Sequence, residues 1–153
     1  MTVLYLVRHA KAGNRKDWTA DDRLRPLSEE GWRQAEGLVG LLDNPPPARL
    51  LSSPSVRCIQ TLEPLGEKLG LRIEIADELA EGTPAAAAID LMLAVATEPA
   101  ALCTHGDVVI AAIRELRDGG MRVRGPVEFK KGSTWVLEAR NGRVTRGRYL
   151  PPP

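Results

Sequence analysis

The chain has 153 residues, a length that suits one domain with a core of ordinary size. Hydrophobic residues make up 43% and charged residues 27%, as in soluble globular proteins, and no apolar run is long enough to span a bilayer. A net charge of +1 gives no global attraction to a nucleic acid polymer or a membrane surface, so neither is expected as a partner, and any anion must be bound by a local cluster.

Val3–Val7 is apolar throughout and carries β-branched and aromatic side chains, the pattern of a strand buried on both faces of a parallel sheet. It is too short for the apolar region of a secretory signal and lacks a small-residue cleavage site, which points to a cytoplasmic location. The run stops at Arg8-His9. A guanidinium at the end of a buried strand requires a carboxylate or a bound anion. The histidine beside it is a candidate nucleophile or general base.

Residues 10–27 are polar, and a stretch of that length without regular structure is usually functional. Ser28 with Glu29 and Glu30 reads as a capped helix start. Trp32, Ala35, Leu38, Val39 and Leu42 recur at helical spacing, so a helix is predicted over 29–43, ended by Asn44 and three prolines. Arg49–Ser52 is a second short strand. Ser53-Pro54 reads as a cap and first helical residue, opening a helix to Leu69 that Gly70 ends and Pro64 should kink or split. Leu71–Ile75 alternates as a third strand, 77–84 is a loop, and the Ala-rich segment 85–97 is a helix.

Ala101–Thr104 is a fourth strand that stops at His105-Gly106, and Asp107 reads as the cap of a helix to Arg117. Residues 118–131 form a second long polar stretch. Ser133–Ala139 and Arg143–Leu150 are strands joined by Asn141-Gly142, a strong hairpin signal. Pro151–Pro153 is expected to be a disordered tail. Strands alternating with helices imply one α/β domain over 1–150, with a mostly parallel sheet and an added antiparallel hairpin.

The two cysteines, Cys58 and Cys103, lack metal-ligand spacing and read as buried thiols. With only two histidines there is no multi-histidine metal site, and neither a metal nor another cofactor is expected.

Parallel sheets place ligands beyond the carboxyl ends of their strands. Three such ends carry polar residues here: Arg8-His9, Ser52-Ser53-Pro54 followed by Arg57, and Thr104-His105-Gly106. Arg57, expected at the fourth helical position, should lean back toward the same edge. Taken singly, a histidine is commonly structural and an arginine commonly solvated. Four such residues at one edge instead suit phosphoryl transfer. Two guanidiniums and a helix N-terminus match the oxygens of the transferring group, and a neutral imidazole can attack phosphorus.

Leu6-Val7-Arg8-His9-Ala10 resembles the Leu-x-x-Arg-His-Gly/Ala opening of the histidine phosphatase superfamily. Ser52-Ser53-Pro54 through Arg57, Gln60 and Thr61 resembles its second motif, and Thr104-His105-Gly106 its second histidine. The resemblance implies a three-layer αβα sandwich of the phosphoglycerate mutase-like kind. It also implies a phosphohydrolase with His9 as the phosphorylated nucleophile and Arg8, Arg57 and His105 as phosphate-pocket residues. The short chain and the segment Asp22-x-x-Arg25-Pro26-Leu27-Ser28 resemble the SixA-like branch, whose named member is a protein phosphohistidine phosphatase. Lys130-Lys131-Gly132-Ser133-Thr134-Trp135 also resembles the phosphatase domain fused to some MutT-like hydrolases, which acts on nucleotides. The implied partner is a phosphorylated substrate: a phosphohistidine protein, a small phosphoester or a nucleotide. A phosphate-dependent binding module is the non-catalytic alternative.

Leu79-Ala80-Glu81 resembles the family's Leu-x-Glu pattern, which makes Glu81 the candidate general acid. Lys11, Asn14 and Arg15 after the nucleophile, Gly106 after the second histidine, and Lys131 in the second polar stretch are candidate phosphate or substrate contacts.

Overall fold

A computed structural model describes residues 1–153. Seven strands form one sheet in the order β3-β2-β4-β1-β6-β7-β5. The strands are β1 Thr2–Arg8, β2 Arg49–Ser52, β3 Ile73–Ile75, β4 Ala100–Thr104, β5 Arg122–Arg124, β6 Thr134–Arg140 and β7 Arg143–Leu150. Only β6 runs against the others: it pairs antiparallel with β1 and β7, while β1–β4, β2–β4, β2–β3 and β5–β7 are parallel. The helices are α1 Glu29–Leu41, α2 Val56–Leu69, α3 Ala85–Ala94 and α4 Gly106–Asp118.

The three-layer arrangement follows from the strand alternation. Leu4, Leu6, Leu51 and Leu102 face α3 and α4, where they meet Met92, Val109 and Ile113. Tyr5, Val7, Leu50 and Cys103 face α1 and α2, where they meet Leu38, Leu62 and Leu65. Leu4–Val7 is buried on both faces, which is why the strand has no polar alternation. The mostly parallel α/β sandwich is therefore as the sequence predicts.

Several local predictions need correction. Ser55, not Ser53, occupies the N-cap of α2, so Arg57 is its second residue rather than its fourth. Pro64 does not split α2: it removes one backbone donor, but Leu62 and Leu65 on either side stay packed in the core and hold the helix together. His105 stands at the N-cap of α4 in place of Asp107, whose carboxylate instead accepts from the Gly82 backbone N–H at 2.9 Å. Helix α3 stops at Ala94, short of Thr97. The first polar loop holds two single 3-10 turns, Arg15–Asp17 and Asp22–Leu24. The second polar stretch contains β5, whose only apolar residue, Val123, was too weak a signal to mark a strand. The terminal Pro153 lies against α1, where a β-carbon on Gly37 would stand 2.5 Å from its ring.

Gly31 lets α1 approach the end of β1. A β-carbon there would lie 1.9 Å from the Lys11 carbonyl oxygen, so only glycine fits. Leu102, fully buried on β4 between β1 and β2, tests the core: Leu102→Ala should lower the unfolding free energy by about 2–5 kcal/mol in denaturant titration, with the fold retained.

Candidate active site

The carboxyl edge of β1, β2 and β4 opens into a cavity of about 890 Å³. Arg8, His9, Arg57, His105, Gly106 and Glu81 line it, with Lys11, Asn14, Arg15 and Lys131. All ten sequence candidates thus reach one cavity.

His9 follows β1, and its backbone N–H donates to the Thr104 carbonyl at 3.0 Å, continuing the β1–β4 ladder by one residue. Its ring is buried. Nδ1 lies 2.8 Å from the Ala10 carbonyl, which can only accept, so the proton sits on Nδ1 and the lone pair on Nε2. Burial pushes the His9 pKa down to about 3, and the nearby Arg57, His105 and Arg8 add to the shift against the Ala10 carbonyl. A buried neutral imidazole with a free Nε2 has the electronic state of a nucleophile.

His105 follows the neighbouring strand β4, its ring centroid 5.4 Å from that of His9. Nε2 is 2.8 Å from the Ser53 hydroxyl, and Nδ1 is 3.5 Å from Arg57 Nη2. Cys58 Sγ stands 3.6 Å from Nε2 as well.

Arg57 is 1% exposed. One terminal nitrogen donates to the Asp22 carbonyl at 2.9 Å, and the other reaches the Asp22 carboxylate at 3.2 Å and Glu81 at 3.0 Å. Arg8 donates to the Phe129 carbonyl, and its guanidinium lies against Gly106, where a β-carbon would come within 2.7 Å of Cζ. The Nε atoms of Arg8 and Arg57 are both buried without a partner. Two orphaned guanidinium donors beside one cavity are costly unless an anion completes them.

The remaining motif residues hold this arrangement. Thr61 accepts from the Ala10 N–H at 2.9 Å and donates to the Arg57 carbonyl at 2.7 Å, tying the end of β1 to α2. Gln60 accepts from the Leu27 N–H at 2.8 Å and anchors the end of the first polar loop. Gly132 donates to the His9 carbonyl at 3.0 Å, which fixes Lys131 at the rim.

The weaker candidates differ in what they do. Lys11 points its ammonium to Glu30 at 2.9 Å, and Asn14 caps the first 3-10 turn through its side chain. Arg15 stands 3.6 Å from Asp22 and 3.7 Å from Glu81 at the mouth. Burial pushes the Lys131 ammonium pKa down, with the positive charge of Arg8, Arg25, Lys11 and Arg15 acting in the same direction.

Arg25, Asp22 and Ser53, which the sequence marked only as parts of motifs without a site role, also stand at the candidate site. Arg25 is 7% exposed, lines the cavity, and donates to the Gly13 carbonyl at 2.6 Å and to Asp22 at 3.0 Å. The Asp-x-x-Arg spacing on a single turn was the signal for this pair. No group of three or more histidine, cysteine or carboxylate side chains is arranged to hold a metal ion.

The sequence model of the histidine phosphatase superfamily (branch 1) matches residues 4–84, more than half of the chain. The chain belongs to the histidine phosphatase superfamily. Its matched span includes Arg8, His9, Arg57 and Glu81, while His105 joins them only through the fold. The backbone is similar to protein histidine phosphatase SixA complexed with tungstate, with a TM-score of 0.78 and 22% identity over 98% of this chain and 95% of that one. It is also similar to a putative phosphohistidine phosphatase SixA from Agrobacterium tumefaciens, with a TM-score of 0.76 and 26% identity over 99% and 98%. An 8-oxo-(d)GTP phosphatase of Mycolicibacterium smegmatis is 38% identical over 99% of this chain, which spans about half (48%) of that relative's length. The chain is thus a histidine phosphatase domain with a SixA-like fold.

Two outcomes follow from this histidine phosphatase geometry. The unfolded chain protonates His9 near pH 6.5, whereas the folded site resists protonation down to about pH 3. Stability should therefore fall as pH drops through that window. In denaturant titrations at pH 7 and pH 4.5, the wild type should lose about 2–3 kcal/mol more than His9→Gln. Gly106→Ala should displace the Arg8 guanidinium and raise KM for phosphate substrates by about tenfold or more, with thermal unfolding showing a folded protein.

Proposed function

We propose that this domain is a metal-independent phosphohydrolase that works through a phosphohistidine on His9. The observation that carries the reading is the pinned His9 ring, with Nε2 unprotonated beside two guanidiniums that have buried, unpartnered Nε donors. In the first step Nε2 attacks phosphorus and the bond from phosphorus to the leaving group breaks. The phosphoryl oxygens take the Arg8 and Arg57 donors, exchanging with Asp22 and Glu81 at Arg57. His105, braced by Ser53, faces the transferring group from the end of the adjacent strand β4. Glu81 at the mouth supplies the proton that an alkoxide leaving group needs. Water then attacks the phosphohistidine, releasing inorganic phosphate and the free imidazole.

For the substrate, we favour a nucleotide carrying more than one phosphate. The support is the 38% identical relative named an 8-oxo-(d)GTP phosphatase, together with the cations Arg25, Lys131 and Arg15 that line the cavity beyond the pair at His9. The second reading, a protein phosphohistidine, is favoured by the SixA-like fold and by a short connection, residues 76–84, between β3 and α3 that leaves no inserted domain over the cavity.

The test is incubation with a 32P-labelled phosphodonor. Wild type should acquire an acid-labile, base-stable label, and His9→Ala should lose it along with about a thousandfold or more of kcat/KM. Retained turnover in His9→Ala would overturn the mechanism. A panel of nucleoside triphosphates, phosphohistidine peptide and sugar phosphates separates the two substrate readings by kcat/KM. Glu81→Gln should slow alkyl phosphate hydrolysis by about 100-fold or more while sparing a phosphoramidate, whose imidazole leaves more readily. Equal losses on both substrates would remove Glu81 from the role of proton donor.

A further inference from the structure

The chain's near-neutral total hides a strong segregation of charge. Residues 119–153 carry eight lysines and arginines against two acids, whereas residues 1–118 carry thirteen against eighteen. Much of the excess converges at the β5 end of the sheet, well away from the phosphatase cavity. Strand β5 pairs with β7 so that Arg122 stands beside Arg146 and Arg124 beside Arg148. Directly paired residues on neighbouring strands share a face of the sheet. The four arginines therefore start from a two-by-two grid of backbone positions, about 4.8 Å apart across the strands and about 6.7 Å apart along them.

All four are exposed, and together they border a concavity of about 250 Å³. None of the four makes an ion pair. Glu138 is the single carboxylate on this face, paired with Arg146 across β6–β7 without reaching salt-bridge distance. Arg122 and Arg146 also border a second concavity together with Arg143, which extends the positive surface along β7.

Like charges placed directly opposite each other on neighbouring strands destabilise a sheet. Charged side chains can guard a sheet edge, but only β5 is at the edge, so Arg146 and Arg148 on β7 are not explained by edge protection. Guanidiniums suit phosphate, offering paired donors in a plane. The concavity has no aromatic side chain in its lining, and Tyr5 on the same side of the sheet is 2% exposed and donates its hydroxyl to the Pro45 carbonyl. It therefore lacks both the stacking platform used for single-stranded bases and the apolar anchor of a protein interface. We propose that the Arg122, Arg124, Arg146 and Arg148 face is a docking surface for the phosphate backbone of a duplex nucleic acid, read without regard to sequence.

The experiment is fluorescence anisotropy with a labelled 24-base-pair duplex of mixed sequence. Binding is expected at 50 mM salt, weakening about a hundredfold by 200 mM, as release of counterions from about four phosphates requires. Arg124→Glu combined with Arg146→Glu should abolish binding and leave hydrolysis of p-nitrophenyl phosphate unchanged. A remote reversal of equal charge, Arg33→Glu with Arg72→Glu, should weaken binding much less. Vanadate at the cavity should not displace the duplex. The proposal is overturned by absence of binding at 50 mM salt, by equal losses in the two double variants, or by displacement with vanadate. Equal affinity for polyglutamate, or recruitment to phosphatidylserine vesicles in preference to the duplex, would overturn it too. Because the assay needs no turnover, it succeeds or fails independently of the phosphatase mechanism.

Discussion

The register of β1 against β4 is the constraint on which the site depends. Arg8 lies beside Thr104, and the next residue on each strand is a histidine. The His9 N–H to Thr104 carbonyl bond carries the ladder one step past Arg8, bringing the rings to 5.4 Å. A slip of one residue would turn every side chain of β1 to the opposite face, sending Leu4 and Leu6 into the layer now filled by Tyr5 and Val7. Because β1 is buried between two helical layers, that slip would exchange the side chains that fill the two cores and mismatch the packing of both. Packing thus sets the geometry of the candidate site with the same side chains that stabilise the sheet.

Electrostatics at the site resolve two opposed demands. In the proposed mechanism the attacking imidazole must be neutral, and the groups that hold the phosphoryl group must be cationic. Burial favours neutral His9, and the neighbouring guanidiniums push in the same direction, so the two demands reinforce each other at this ring. The guanidiniums themselves need partners. Asp22 and Glu81 supply them at Arg57, and Asp22 also holds Arg25. Carboxylates shared in this way bring the first polar loop, the start of α2 and the segment after β3 to one point, which is why a loop of eighteen residues can take a defined shape.

The sheet itself is unevenly covered. From β3 to β1 both faces carry helices, whereas β7 and β5 extend the sheet past α1 and α2. Val144 and Tyr149 on β7 point into the α4 side of the core, and Arg146 and Arg148 between them point to the uncovered side. This alternation of buried and exposed positions contrasts with the continuous apolarity of β1, and the contrast follows from one covered face against two.

Fold class, the hairpin at Asn141-Gly142, and the convergence of Arg8, His9, Arg57 and His105 were legible in the sequence. Each rests on local rules: apolar runs mark buried strands, turn residues mark reversals, and parallel strands bring their carboxyl ends to one edge. Strand β5 was not legible, because three residues with a single valine gain stability from pairing with β7 rather than from their own pattern. The roles of Arg25 and Asp22 were hidden for a similar reason, since a buried ion pair within a polar loop looks in sequence like solvated charge. The sequence by itself determined which residues reach the carboxyl edge of the sheet, because strand order and polarity dictate where chain ends emerge. Only the tertiary structure decided what each charge faces, because electrostatic partners such as Arg57 with Asp22, or Arg122 beside Arg146, are set by contacts between segments far apart in the chain.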